Sequence, residues 1–199
     1  IKAAKPDMIA LTGDIVDEDH DSISSVEDLL KGIKDLAPIY FVTGNHELTS
    51  LAATQYQELL ALFQKYDVTD LDNDSVKLKK GGQSITLYGR QYFSQYLTDS
   101  LPIASDKDFD ILLYHGSDNF KEIAPYHYDL ILSGHAHGGI VRLPIWGGIF
   151  GNDGTFFPEY AGGEYTIGDA TLISSRGLGD ASIPRFNNPP ELVVIKLNP

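Results

Sequence analysis

Residues 8–17 read Met8-Ile9-Ala10-Leu11-Thr12-Gly13-Asp14-Ile15-Val16-Asp17. A short apolar run, suited to a buried strand, ends on a glycine and a carboxylate. The same grammar recurs along the chain. Residues 39–43 are apolar and lead into Gly44-Asn45-His46-Glu47. Residues 111–114 lead into His115, and residues 130–132 into Gly134-His135-Ala136-His137-Gly138-Gly139. Strand-sized runs that each end in polar, metal-competent side chains describe a layered α/β protein, because such folds gather ligands at the carboxyl ends of their strands.

Outward from these runs, residues 22–36 place Ile23, Val26, Leu29, Leu30, Ile33 and Leu36 three and four apart, the spacing of an amphipathic helix. Ser24 and Glu27 stand at capping-box spacing near its start. A second helix is expected over about residues 51–66, and a short one over 120–124. Residues 76–78 and 85–88 flank Gly81-Gly82 and predict a β-hairpin. Closing strands are expected at 171–174 and 192–197. Between them, residues 142–168 are rich in glycine and aromatics and predict a long ordered surface loop with one or two β turns. Trp146, Phe150, Phe156 and Phe157 are expected to pack as a small core under that loop; the alternative is an apolar wall for a substrate. Residues 1–5 resemble the last turn of a helix broken by Pro6, so the chain is expected to be one domain over residues 1–199, truncated at its N-terminus.

Composition narrows the function. The chain has 199 residues, 42% of them hydrophobic, enough for one domain with a real core. Its 15 basic and 28 acidic residues give a net charge of −13, which argues against generic binding of nucleic acid by charge. Without cysteine there can be no disulfide, thiolate metal site or cysteine nucleophile. No apolar run reaches membrane-spanning length.

Asp14, Asn45, His115, His135 and His137 together offer carboxylate oxygen, amide oxygen and imidazole nitrogen, a donor set suited to Zn, Fe or Mn. A carboxylate can bridge two cations about 3.5–4 Å apart, the separation of two-metal hydrolases. Such a centre polarises a phosphoryl oxygen and generates a metal-bound hydroxide near neutral pH. In an extended strand His135 and His137 would face opposite sides; a tight glycine-bounded turn would let them serve two different ions. His20 and His127 fall away from strand ends and are expected at the surface or in packing. Arg176 and Arg185 are candidate phosphate contacts, while Arg90 and Arg142 are expected to be structural. The glycines of residues 177–182 approximate a dinucleotide pattern, but no strand–helix repeat follows and a loop is expected.

The ordered set Gly13-Asp14-Ile15-Val16-Asp17, Gly44-Asn45-His46-Glu47, His115 and Gly134-His135-Ala136-His137 resembles the motifs of the calcineurin-like metallophosphoesterases over nearly the whole chain. Residues 174–179 and 188–192 are similar to the bacterial YkuE-type branch. The resemblance implies a four-layer sandwich of two mixed β-sheets flanked by helices, here without its first strand. It implies a hydrolase of phosphoric mono- or diesters with a binuclear centre. Asp14 would bridge two ions, Asn45, His115 and His135 would complete one site, and His137 would belong to the other. His46 would act as general acid, oriented by Asp17. The family's D-x-H motif is absent, so the second site is expected to be incomplete, and the alternative is a catalytically impaired metal-binding form. A small or lipid-linked phosphate ester is the implied substrate, and an envelope-associated or exported location is implied by analogy.

Overall fold

The computed structural model describes residues 1–17, 23–92, 97, 101–105, 108–151, 154–179 and 184–198. In chain order the elements are β1 (Ile9–Leu11), α1 (Ser24–Ile33), β2 (Ile39–Phe41), α2 (Asn45–Thr49), α3 (Ala53–Lys65), β3 (Val68–Asp70), β4 (Ser75–Lys80), β5 (Gln83–Arg90), β6 (Phe109–Gly116), α4 (Phe120–Ile123), β7 (Leu130–Gly134), β8 (Val141–Leu143), β9 (Gly147–Phe150), β10 (Gly163–Ile167) and β11 (Ala170–Ser174).

Strand alternation sets the layers. On β1 and β2 the residues Ile9, Ile39 and Phe41 pack with Val26, Leu30 and Ile33 of α1 and Leu59 and Phe63 of α3. The alternate residue Tyr40, followed by Val42, packs instead with Leu87, Ile111, Leu113, Leu130 and Leu132. On β6 the intervening Leu112 and Tyr114 turn away, joining Ile131, Leu172 and Phe120 and Ile123 of α4. The order is therefore helices, small sheet, large sheet, helix. This is the expected sandwich. The small sheet, β1-β2-β3, is parallel throughout; the large one, β10-β11-β7-β6-β5-β4, mixes parallel and antiparallel pairs. No helix among the described residues is long and apolar enough to cross a membrane.

Several local expectations are corrected. The capping box does not form at Ser24, because the helix takes in Ser24 and leaves Ile23 at the N-cap. Residues 44–47, expected as a turn, open α2, and the three-residue β3 was too short to announce itself. Residues 142–168 are not one loop but hold β9, β10 and most of β8; pairing between neighbours overrides the poor strand propensity of glycine. The expected core beneath that loop is absent. Trp146, Phe156 and Phe157 are exposed at 68%, 72% and 59%, and half-buried Phe150 stacks on Phe156. Residues 192–197 form no strand: they carry strand-forming side chains, but among the described residues none pairs with them.

Candidate metal centre

Two glycines let two strand ends meet. A Cβ on Gly13 would fall 2.5 Å from the Gly44 nitrogen, and one on Gly44 would fall 2.6 Å from the Asp14 nitrogen. Gly13 and Asp14 both turn left-handed, at φ 85° and 52°, which swings the chain out of β1. The buried Glu47 carboxylate then ties the junction, accepting the backbone N–H groups of Asp14 and Ile15 at 2.8 Å, Val16 at 3.4 Å and Gly44 at 2.7 Å. Burial, then the Asp14 charge, push the Glu47 carboxyl up, and those N–H groups oppose the rise. Glu47 was visible in the motif, but nothing local to it revealed a partner 33 residues away. On the far side Asp72 holds Thr43 through its N–H at 3.0 Å and its hydroxyl at 2.7 Å.

The large sheet supplies the histidines. A register shift between Leu113 and Gly116 of β6 takes in His115, which is buried and whose Nδ1–H donates to the Thr12 carbonyl at 2.6 Å. That bond directs Nε2 inward, 3.0 Å from Asp14 Oδ2, 3.2 Å from Asn45 Oδ1 and 3.2 Å from His135 Nδ1. Beyond β7 the backbone is left-handed at His135 (φ 67°), His137 (49°), Gly138 (72°) and Gly139 (66°), with the Ala136 N–H closing on the Gly134 carbonyl at 2.8 Å. This is the tight turn that the glycines foretold. The Tyr92 hydroxyl lies 3.3 Å from His135 Nε2, the nitrogen opposite the one facing the cluster, and its ring meets both imidazoles at 5.1 and 5.2 Å. Tyr92 carried no signal in the sequence, since it follows β5 in a stretch without a motif.

Asp14, His115 and His135 each offer a ligand atom within 4.8 Å of the others, and the Asn45 amide oxygen joins them. His115 Nδ1–H is committed to Thr12, so Nε2 is the nitrogen that faces the carboxylate and amide oxygens. Burial lowers the His115 pKa but the Asp14 bond and charge raise it, and a cation at the cluster would take the place of that Nε2 proton. Burial opposes the Asp14 carboxylate, but the His115 bond and the His46 N–H at 2.9 Å hold its pKa below the ordinary value. His137 lies beside the cluster. Burial and then the Arg185 cation push it down to about 4, so it is a neutral ligand-competent imidazole, and its buried Nδ1 has no hydrogen-bond partner among the described residues.

His46 is the second residue of α2, and its Nε2 lies 3.9 Å from Asp14 Oδ2. Its buried Nδ1 has no hydrogen-bond partner among the described residues, and Asp14 is a carboxylate beside the ring. Arg176 binds Glu191 at 2.8 Å, and Arg185 donates to the Arg176 carbonyl at 2.7 Å. Arg90 and Arg142 are structural as expected, donating to Asn73 and to the Gly138 carbonyl. His127 is exposed, whereas His20 and residues 180–182 lie outside the described residues.

With this geometry in place, comparison with known proteins is specific. A family model described as calcineurin-like phosphoesterase matches residues 1–139, which hold every one of these ligands. The chain belongs to the calcineurin-like phosphoesterases. Among relatives in the family, it is 29% identical to the uncharacterized metallophosphoesterase YkuE of Bacillus subtilis over 99% of this chain and 70% of that protein. It is 26% identical to the phosphodiesterase YaeI of Escherichia coli over 97% of this chain and 71% of that protein. The fold is also similar to the Thermus thermophilus sulfate thiohydrolase SoxB, with TM-score 0.52 and 16% identity over 84% of this chain and 33% of that one. Membership in this family of phosphoester hydrolases implies divalent metal ions at the cluster.

Proposed function

We propose that this chain is a divalent-cation-dependent phosphoesterase that holds an ion through Asp14, Asn45, His115 and His135, with phosphodiesters as the favoured substrates. The observation that carries this reading is the convergence of three donor atoms on His115 Nε2 at 3.0–3.2 Å. Likeness to a named phosphodiesterase supports the diester preference. Bound cations supply Lewis acidity at the phosphoryl oxygens and a lowered water pKa.

The chain's own residues do the rest. Asp14 and His137 are the two groups offered to a second ion. His46, bonded at its backbone N–H to Asp14, would give a proton to the leaving oxygen, with Asp17 as its orienting carboxylate. Arg185, close enough to His137 to depress its pKa, is the cation that would meet the phosphoryl group, while Arg176 orders its loop through Glu191.

The test is hydrolysis of bis(4-nitrophenyl) phosphate with Mn²⁺, alongside elemental analysis of protein purified without chelator. Turnover that is lost on chelation, restored by Mn²⁺ and faster than on 4-nitrophenyl phosphate is expected. Turnover indifferent to chelator, or protein that binds no ion, would overturn the reading.

A further inference from the structure

The β8–β9 hairpin packs at Gly148 against Gly138 and Gly139, which follow His137, and presents an apolar tip to solvent. Ile145 is fully exposed at 100%, Trp146 at 68%, and Leu143 at the end of β8 at 39%. The layer widens on both sides. Phe156 bridges to Phe150 on β9, Phe186 bridges to Val141 on β8, and the Phe157 N–H donates to the Ile149 carbonyl. Phe156, Phe157 and Phe186 are themselves 72%, 59% and 62% exposed.

Backbone conformation shows that these side chains are not an accident of folding. Ile145 has φ 75° and Phe157 φ 55°. Turn chemistry would put glycine or asparagine at such positions, and a β-branched residue there is strained. At Ile145 buried contacts return nothing for that strain, because the side chain is wholly exposed, and at Phe157 more than half of the ring stays in water.

Charge says what covers them. The chain carries 28 acidic residues, yet none falls between Asp129 and Asp153, and Arg142 is the one lysine or arginine in that interval. Arg142 reaches the Gly138 carbonyl, next to His137, and Arg185 donates to the carbonyl of Arg176. The hairpin itself thus carries no acidic side chain behind its aromatic tip, and the acidic group that acts on Arg142 is Glu191, already paired with Arg176. Apolar tip, interfacial tryptophan and arginines behind it are the elements of a peripheral lipid-binding surface, and beyond a screening length of about 8–10 Å the remaining acidic surface matters little.

We infer that the β8–β9 hairpin inserts into the surface of an anionic lipid bilayer. The metal centre then faces the headgroup layer, and the phosphoester it meets is an amphiphile. The docking itself stands apart from the proposed catalysis; only the substrate class rests on it.

Trp146 is the single tryptophan of the chain, so its emission reports the hairpin directly. Vesicles of phosphatidylcholine and phosphatidylglycerol should shift that emission to the blue and sediment the protein, with or without chelator. Ile145→Asp should lower vesicle partitioning by about tenfold while leaving turnover of a soluble diester unchanged, which also shows that the variant folds. No shift and no sedimentation would overturn the inference. So would a blue shift that grows with protein concentration in the absence of lipid, since that would assign the face to a second copy. Vesicle binding without any turnover would leave this inference standing and remove the phosphoesterase reading.

Discussion

The strand-end loops and the β8–β9 hairpin both force non-glycine residues into left-handed backbone, and they treat the consequence in opposite ways. At Asp14 and His137 the unusual conformation is braced. The Glu47 carboxylate takes the Asp14 N–H, Asn188 donates to the His137 carbonyl at 2.6 Å, and Arg142 donates to the next carbonyl along. At Ile145 the side chain stands wholly in solvent, and at Phe157, whose N–H is held by Ile149, the ring is still more exposed than buried. Strain braced from within marks a constellation assembled for chemistry. Strain whose side chains find no cover in the chain points to something outside it.

The comparison breaks most visibly at Glu47. Glu47→Ala leaves the N–H groups of Asp14, Ile15, Val16 and Gly44 without their acceptor. With buried donors costing about 1–3 kcal/mol each, partly recovered by water, a loss of roughly 4 kcal/mol and a Tm lower by about 10 °C is expected. A Tm within a couple of degrees of the parent would show that the junction is braced by something else.

Tyr92→Phe probes the bracing more gently. The ring contacts with His115 and His135 stay and the hydroxyl at His135 Nε2 goes. Loss of an outer partner typically costs 10–100-fold in metal affinity, so Co²⁺ should bind about tenfold more weakly with an altered visible spectrum and an unchanged Tm before metal is added. An identical Co²⁺ spectrum and affinity would reduce Tyr92 to a packing residue.

The hairpin responds in the other direction. Ile145→Gly removes a fully exposed side chain from a left-handed position. Stability should rise by about 1 kcal/mol, or roughly 2–4 °C in Tm, with no change in turnover of a soluble diester. A fall in Tm would mean that Ile145 contributes to the fold after all.

How much of this was legible in the sequence follows from the range of the interactions. Asp14, Asn45, His115 and His135 were readable because each lies within a few residues of the end of an apolar run, and strand ends converge in layered α/β folds. Both long helices were readable from three-and-four spacing. Glu47 as a clamp and Tyr92 as a support were not, because their partners lie 33 and 43 residues away and no pattern encodes such pairings. The exposure of the aromatic stretch escapes the sequence for a related reason. Phe156 and Trp146 have the composition of a core, but burial depends on what lies opposite, and composition is silent about that. Residues 192–197 have strand-like side chains and no neighbour for the same reason.

The four clustered donors divide evenly between the two sheets. Asp14 and Asn45 follow β1 and β2 of the small sheet, while His115 and His135 belong to the ends of β6 and β7 in the large one. An ion held among them is therefore a rivet through the sandwich as well as a reagent. Ligand linkage puts a scale on it: at a free concentration a hundred times its Kd, it adds about 2.7 kcal/mol to the cohesion of the two layers. Scarcity of the metal would then loosen the seam between the sheets, and resistance to proteolysis would follow the supply of the ion.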